Sequence, residues 1–467
     1  MTMRLNDHGG LACTESGWAL AILLALAWLA APALALIRRG GWRGLPTSLL
    51  GFVWLGFGVD FVIRFGLLAV DSVEFGNDTF RLADLDGATV EQALGLVLLY
   101  WGCFVLGFGA WGALRTPGPL AAVVTLGGEG HQLRRTIVLV VSTACSVLAS
   151  GMFPLPLALL TPMGIAGTLW VIPAAYVWAE WSANPNDPAL ARLRWIVLAP
   201  ALVRFAASPF REHVLPLALI PLLAWRCTHG RLERRHRLAL AAVLPAFLLV
   251  GNAVQTYRDF LWGGGEAAEV VEERALKQTD EFVEPDPDWL ISVRRFHGLD
   301  SVLLTVDLVP TVFPFRDEPV VTDALVRGFV PRLFMPNKEL SDRGPEFART
   351  IWAYDSGLES GAAIAPSMPG DLYHAGGTVT VALGALVWGL LLGLVDRWKD
   401  ALAPGGRVAV LVLLATQAAP SVERDFVHCV ATMLQSLVVI IVIGAGLAQF
   451  WRPRVPRGAA APLEAAA

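Results

Sequence analysis

The sequence predicts an all-α polytopic membrane protein with about 11 transmembrane helices and one large external loop domain. Of the 467 residues, 55% are hydrophobic and only 16% are charged, whereas roughly a quarter of the residues in soluble proteins are charged. The apolar residues fall in blocks, and blocks of about 20 residues match the ~30 Å hydrocarbon core of a bilayer. This composition excludes a soluble enzyme built around a single core. A formal net charge of −4 also provides no basic surface for nucleic acid, so nucleic acid is not an expected partner.

Eleven apolar blocks are predicted to cross the membrane, and they fall in two groups. Residues 1–254 contain the first eight and residues 374–451 contain the last three. Between the groups, residues 255–373 form the large external (periplasmic) loop domain, and residues 452–467 form a cytoplasmic tail. In chain order, the predicted spans are 18–37, 48–70, 93–114, 136–155, 157–178, 195–207, 214–226, 238–254, 376–395, 408–419 and 430–450.

Successive short loops alternate between a high and a low content of Lys and Arg, and this alternation predicts the orientation of the chain in the membrane. One set of connections holds 19 of the 36 Lys and Arg residues, and the opposite set of short loops and the N-terminal tail hold four. Loops rich in Lys and Arg stay in the cytoplasm, so the set of loops with the higher Lys and Arg content is assigned to that side. The prediction is a multi-pass membrane protein with its N-terminus outside and its C-terminus inside. The rich set comprises 38–46, 115–135, 179–194, 226–237, 396–407 and 452–457.

Two of the outward-facing turns are predicted to lie below the outer surface of the membrane. The spans 195–207 and 214–226 are short, and the turn between them carries Arg211. The span 408–419 is equally short, and Arg424 and Asp425 follow it. Charged backbone at that depth is tolerated only where it is buried in protein or lines a wet cavity, which indicates a functional site.

A second charged feature lies inside a predicted span. Asp60 and Arg64 are four residues apart on the second apolar block, a spacing that brings two side chains together on one face of a helix. We expect an ion pair within that helix, buried in the bundle, and favour it over a substrate-binding role.

Several short motifs lie between residues 200 and 435. Pro331-Arg332 is followed by Pro336 and Lys338; Gly370-Asp371-Leu372-Tyr373 precedes Gly376-Gly377 and an apolar helix; and Glu423-Arg424-Asp425 opens the last helix. Together these motifs resemble those of bacterial oligosaccharide repeat-unit polymerases of the Wzy type. The chain departs from the family pattern at two points. Asp371 stands where the family usually has Glu, and His374-Ala375 stands where the family usually has an Asn–aromatic pair.

The resemblance implies a fold and an activity. The fold is a GT-C-like, O-antigen polymerase-like bundle. The activity is a metal-independent glycosyl transfer on the outer face of the bacterial cytoplasmic (inner) membrane, in which a growing chain leaves its polyprenyl pyrophosphate for a new undecaprenyl-pyrophosphate-linked repeat unit. The product is an O-antigen or exopolysaccharide of the cell envelope. No cofactor is implied, and a flippase and a chain-length regulator are the implied protein partners.

The chemistry of this reaction selects the candidate residues. A departing pyrophosphate gathers negative charge, which preorganised guanidinium groups stabilise, and the acceptor hydroxyl needs a base. The candidate catalytic residues are Asp371, His374 and Arg332. The candidate substrate-binding residues are Arg211, Arg258, Lys338, Tyr373, Arg424 and Asp425, while Glu212 and His213 are further candidates for the base. Arg211, Arg332 and Arg424 are predicted to converge on one cavity, and no Cys/His cluster has the spacing of a metal site.

Other function classes remain open at this stage. An O-antigen ligase would differ from a polymerase only in its acceptor. A GT-C glycosyltransferase that uses a single lipid-linked sugar would place paired acids in the first external loop, where Asp84-Leu85-Asp86 occurs. A polysaccharide or lipid transporter ranks third, because no internal repeat is visible. The chain contains no GxxxxGK[ST], HExxH or GxSxG motif, which argues against an ATP-driven pump, a zinc protease or a serine hydrolase.

Overall fold

The computed structural model describes a helical protein. The residues it describes are 2–3, 11–36, 41–70, 82, 85–110, 132–148, 166–202, 215–234, 236, 238, 297–329, 343–352, 366–418 and 424–450. The first eight α-helices are α1 (Glu15–Ala35), α2 (Leu49–Phe57), α3 (Arg64–Val70), α4 (Gly87–Ala110), α5 (Gln132–Leu148), α6 (Val171–Ala183), α7 (Pro188–Ile196) and α8 (Leu215–His229). They are followed by α9 (Gly298–Leu308), α10 (Val320–Phe329), α11 (Arg343–Phe347), α12 (Met368–Asp400), α13 (Pro404–Ala418) and α14 (Phe426–Phe450).

Shorter elements join or extend these helices. A 3-10 helix, Gly41–Thr47, precedes α2, and a π-helix, Ala348–Trp352, continues α11. A second π-helix, Gly58–Ile63, joins α2 to α3 without interruption. Two two-residue strands, Thr2–Met3 and Cys13–Thr14, pair antiparallel before α1.

Four helices are long and apolar enough to cross a membrane: Glu15–Leu34, Leu49–Val70, Gly87–Ala110 and Met368–Asp400. They correspond to the first, second, third and ninth predicted spans. Shorter apolar helices lie at Arg135–Cys145, Pro404–Ala415 and Phe426–Val438. The protein is therefore helical and has the apolar helices of a membrane protein, while the total of eleven crossings stays a prediction.

Local capping explains where the structure departs from the predicted boundaries. The third span was predicted to begin at residue 93, but α4 begins at Gly87 because the carboxylate of Asp86 accepts a hydrogen bond from the Thr89 amide at 2.6 Å. The predicted loop 179–194 contains the start of α7, whose first turn is capped by Asp187 and contains Pro188.

The ninth span was predicted to begin at residue 376, but α12 begins at Met368. The hydroxyl of Ser367 accepts a hydrogen bond from the Gly370 amide and so caps this helix. The helix is interrupted inside by Gly376 and Gly377, and Gly377 has a φ of +71°, a conformation that glycine adopts without steric cost.

Helices α4 and α12 approach each other closely. A Cβ atom on Gly107 of α4 would lie 2.3 Å from the carbonyl oxygen of Leu386, and one on Gly389 of α12 would lie 2.1 Å from the carbonyl oxygen of Phe104. Such distances are far below van der Waals contact, so only glycine permits this approach. The pair carries the candidate site at one end, where α12 begins.

The described parts of segment 255–373 pack directly on this bundle. Helix α9 has eleven residues, spans under ~20 Å and is almost fully buried against α4 and α12. It ends at Leu308, ahead of Pro310. Helix α10 packs along α14. The alternating charges of residues 266–279 predict an amphipathic helix, and this segment lies outside the described residues.

Candidate functional site

A buried carboxylate at the start of α12 is the centre of the candidate site. Asp371 is 1% exposed. Its Oδ1 atom accepts hydrogen bonds from Arg343 Nη1 at 2.7 Å and from Arg316 Nη1 at 3.3 Å. Its Oδ2 atom accepts a hydrogen bond from the backbone amide of Phe426 at 3.0 Å, the first residue of α14. The hydrogen bonds to this one carboxylate therefore connect α12 with α14, α11 and the segment before α10.

Two half-exposed acids complete the ion-pair network on its outer side. Glu318 Oε2 lies 2.5 Å from Arg343 Nη2, and Glu346 Oε2 lies 3.1 Å from Arg316 Nη2. The side chains of Glu318 and Glu346 are 44% and 45% exposed, whereas the two arginine side chains are only 9–10% exposed. The guanidinium groups therefore lie between a buried acid and two solvated ones.

The charge on Arg343 is maintained by its neighbours. Burial alone would lower the pKa of the Arg343 guanidinium, but the carboxylates of Asp371, Glu318 and Asp425 raise it above its ordinary value. Both arginines are permanently charged groups held at fixed positions in a region of reduced water access.

Arg316 keeps unused hydrogen-bonding capacity. Its Nε atom is buried and has no hydrogen-bond acceptor among the residues that the structure describes. Its Nη2 atom is close to Glu346 but does not form a hydrogen bond of good geometry with any described residue. A buried charged donor without an acceptor is costly, so this side chain is suited to an additional anionic group.

The break in α12 is what brings Arg316 to Asp371. At Gly376 and Gly377 the helix loses its regular backbone, and the carbonyls of the preceding turn become available. The Arg316 amide donates to the His374 carbonyl at 3.0 Å, and the Glu318 amide donates to the Ala375 carbonyl at 3.3 Å. Asp317, between them, has a φ of +49°. Non-glycine residues in this conformation are strained and are common at functional sites.

Five of the predicted site residues lie within the described chain. Asp371, Tyr373 and His374 occupy the first turns of α12, and all three are less than 10% exposed. The phenol of Tyr373 accepts a hydrogen bond from Gln92 of α4 at 2.9 Å.

Arg424 and Asp425 immediately precede α14. Asp425 Oδ1 accepts a hydrogen bond from the His428 amide at 2.8 Å, and its charge acts on Arg343. Because the amide of Phe426, the next residue, donates to Asp371 Oδ2 at 3.0 Å, Asp425 lies beside the Asp371 site.

The other predicted site residues lie outside the described residues. The predicted convergence of Arg211, Arg332 and Arg424 therefore stays a prediction. The positions concerned are Arg211, Arg258, Arg332 and Lys338, together with the alternative bases Glu212 and His213.

Sequence reasoning missed the two arginines that contact Asp371. Arg316 and Arg343 lie in charged stretches of the large loop that resemble solvated turns. For Arg316 a signal exists, because it directly follows the apolar stretch 302–315. If that stretch inserts into the bundle, the residue that follows it must lie near the end of a membrane-spanning helix. For Arg343 we find no such signal.

A second buried ion pair joins the second span to α9. Arg64 Nε and Nη2 donate to the two carboxylate oxygens of Asp300 on α9, at 2.9 and 2.5 Å. Both side chains are fully buried. Arg64 and Asp60 are buried, as expected, but the sequence did not identify Asp300 as a partner, and Asp300 anchors the large loop to the second span.

Within the described ranges, no three His, Cys, Asp or Glu side chains come together in the way a metal site requires. In comparisons with known proteins, no family model, curated protein or solved structure matches the chain.

Proposed function

We propose that the chain is a membrane-embedded glycosyltransferase that polymerises oligosaccharide repeat units linked to undecaprenyl pyrophosphate on the outer face of the cytoplasmic membrane. The observation that carries the proposal is the pair of nearly buried guanidinium groups, Arg316 and Arg343, which are hydrogen-bonded to Asp371 at the N-terminal end of α12. It is supported by the resemblance of residues 370–377 and 423–425 to the external motifs of this polymerase family.

The guanidinium pair supplies what the leaving group needs. Negative charge accumulates on the pyrophosphate as the glycosidic bond breaks, and fixed cations in a site with little water stabilise it without reorganisation. In this proposal the pyrophosphate displaces the half-exposed Glu346 from Arg316 and takes up the unused donors of that side chain. Arginine forms such bidentate contacts with phosphate in preference to lysine.

In this proposal, Asp371 positions the arginines and does not accept the proton. Its Oδ1 is bonded by two guanidinium groups, its Oδ2 by a backbone amide, and the side chain is buried. An acceptor hydroxyl has no access to such a carboxylate. The base is then His374, three residues along α12, or Asp425, at the start of α14.

Complementation of a strain that lacks the gene tests this proposal. The strain should accumulate single repeat units and lack long polymer, and the wild-type gene should restore the long chains. Arg316→Gln and Arg343→Gln should each reduce polymer at least about 100-fold, as expected when a preorganised charge contact to a transition state is lost, with normal abundance in the membrane. Glu346→Gln is the matched control, and it should retain polymer because its side chain is half exposed.

Two outcomes would contradict the proposal. Normal polymer in the deletion strain would exclude a polymerase. Long chains that stay on the lipid carrier in that strain, and are not transferred to the final acceptor, would indicate a ligase instead.

A further inference from the structure

Three tryptophans surround one arginine where α6 and α7 meet. Trp178 and Trp181 lie on α6, and Arg194 and Trp195 lie on α7. The guanidinium carbon of Arg194 lies 3.7 Å from the centre of the Trp181 ring. The same carbon lies 5.1 Å from the centre of the Trp195 ring and 5.3 Å from that of Trp178. The faces of indole rings attract a cation, so these four residues, the Trp–Arg cluster, hold the guanidinium group in place.

The charge of Arg194 has no counterion in the described part of the chain. Its Nε atom is buried and has no acceptor, and its Nη groups form no hydrogen bond or ion pair with a described residue. The indole N–H of Trp181, which the guanidinium group covers, is also buried without an acceptor. Charged donors without an acceptor are costly. Because Arg194 is partly exposed, its Nη groups are the donors that a ligand can reach.

The two acids closest to Arg194 in the sequence already have other partners. Glu180 Oε2 accepts a hydrogen bond from Arg135 Nη1 at 2.6 Å. Asp187 Oδ1 accepts hydrogen bonds from two backbone amides in the first turn of α7, at 2.8 and 3.2 Å, and so caps that helix. Neither carboxylate pairs with Arg194. The anion that complements this guanidinium group is therefore expected to come from a ligand.

The Trp–Arg cluster lies between a polar and an apolar surface. Residues 184–186, Asn-Pro-Asn, are exposed on the polar side. On the other side, the side chains of Trp195, Ile196 and Leu202 are each 59% exposed. The charge pattern predicts that the cytoplasmic loop ends at residue 194 and that the sixth span begins at residue 195. Exposed tryptophan at the end of a span is typical of the membrane interface, so Arg194 is expected at the level of the lipid phosphates.

From this geometry we propose that the Trp–Arg cluster binds the headgroup of an anionic phospholipid in the cytoplasmic leaflet. The Nη groups of Arg194 donate to two phosphate oxygens, a bidentate contact that suits the planar guanidinium group. The exposed side chains of Trp195 and Ile196 contact the acyl chains of the same lipid.

The occupied aromatic cluster also excludes the opposite headgroup charge. A quaternary ammonium group such as choline binds between aromatic rings, but in this protein Arg194 already fills that space and repels a second cation. A phospholipid with a net negative charge is therefore preferred to a zwitterionic one. This proposal goes beyond the glycosyl-transfer proposal and does not rest on it.

Native mass spectrometry of the purified full-length protein in detergent tests this inference. The anionic probe is phosphatidylglycerol, the zwitterionic probe is phosphatidylcholine, and titration gives the apparent Kd of the most tightly bound lipid. The variant is Arg194→Gln. The matched control is Arg192→Gln, which removes the same charge from an exposed position on the same helix, outside the Trp–Arg cluster.

The wild-type protein and the control should bind phosphatidylglycerol more tightly than phosphatidylcholine. Arg194→Gln should weaken the binding of phosphatidylglycerol at least about fivefold, the factor expected for one basic residue at a lipid surface. Equal affinities of wild type and Arg194→Gln, an equal loss in the control, or no preference of the wild type for phosphatidylglycerol would overturn the proposal. If Arg194→Gln aggregates, Arg194→Lys is compared with Arg192→Lys, and a loss of affinity in the first alone is the expected result, because lysine lacks the bidentate group.

Discussion

Two buried charges, Arg64 and Asp300, hold the second span to the large loop. Each carboxylate oxygen receives one guanidinium N–H, and neither side chain is exposed. Removing one member of a buried ion pair typically costs about 3–5 kcal/mol. The pair is therefore expected to be a main determinant of whether the loop stays docked.

A double-mutant cycle measures this pair. Arg64→Met and Asp300→Leu should each lower the free energy of unfolding by about 3–5 kcal/mol. The combined variant should lose less than the sum, with a coupling of about 0.5–3 kcal/mol. Unfolding midpoints in detergent provide the measurement, and Arg192→Met serves as the exposed control. Strictly additive losses would mean that the two side chains do not stabilise each other.

The sequence identified individual residues of the candidate site, but it did not identify the residues that form ion pairs with them. Asp371 and Asp425 were identified because short motifs carry them, and the structure brings both to Arg343. Their partners could not be identified in the same way. Asp371 pairs with residues 28 and 55 positions earlier, and Arg64 with a residue 236 positions later. The packing of the helices determines which residues pair in this way, and a local sequence pattern contains no information about that packing.

At the scale of the elements, the contact between α4 and α12 depends on two glycines. Gly107 and Gly389 allow each helix to touch the backbone of the other. Because α12 also carries the candidate site at its start, the separation of these two helices sets the position of Tyr373 on α12 relative to Gln92 on α4, which donates a hydrogen bond to its phenol.

Substitution of Gly107 should separate the two helices, whereas substitution of Gly102 on α4 should not. A Cβ atom at Gly107 would lie 2.3 Å from a backbone oxygen, and one at Gly102 would meet nothing within 4 Å. Gly107→Ala should therefore cost about 1–3 kcal/mol through overpacking. Gly102→Ala should be neutral or stabilise by up to about 1 kcal/mol through helix propensity. Equal unfolding midpoints for the two variants would show that the close approach does not matter.

The elements were predictable where an apolar run is long and uninterrupted. The second span was predicted at 48–70 and is found at Leu49–Val70. Polar caps shifted other boundaries, because Asp86 and Ser367 start their helices several residues before the apolar run begins. The apolar stretch 302–315 is broken by Asp307, Pro310 and Pro314, a pattern that predicts a re-entrant or interfacial element. Its first residues belong to α9, which begins earlier, at Gly298, and is held in the bundle by the Arg64–Asp300 pair; hydropathy alone does not reveal this contact.

At the scale of the whole molecule, the two ends of α12 differ in chemistry. One end carries the Asp371 site, with its arginines and acids, and the other borders a cavity whose lining includes Arg226, Lys399, Asp400 and Arg407. The positive-inside rule assigns the first end to the outside and the second to the cytoplasm. A reaction on exported lipid-linked glycans requires this orientation.

Cysteine labelling determines the orientation. In a background in which the five native cysteines are replaced, Gly264→Cys in the predicted external loop should react with a membrane-impermeant maleimide in intact cells. Ala403→Cys, between α12 and α13, is exposed and should react only after lysis. The reverse pattern would invert the topology and place the Asp371 site inside the cell.

We propose that this chain joins lipid-linked repeat units by itself and without a metal. The direct measurement uses purified protein in proteoliposomes, lipid-linked repeat units isolated from a strain that lacks the gene, and excess EDTA. We expect a ladder of longer lipid-linked glycans together with released undecaprenyl pyrophosphate, and no ladder with Arg343→Gln. Unchanged repeat units with folded wild-type protein, or a ladder that EDTA abolishes, would contradict the claim.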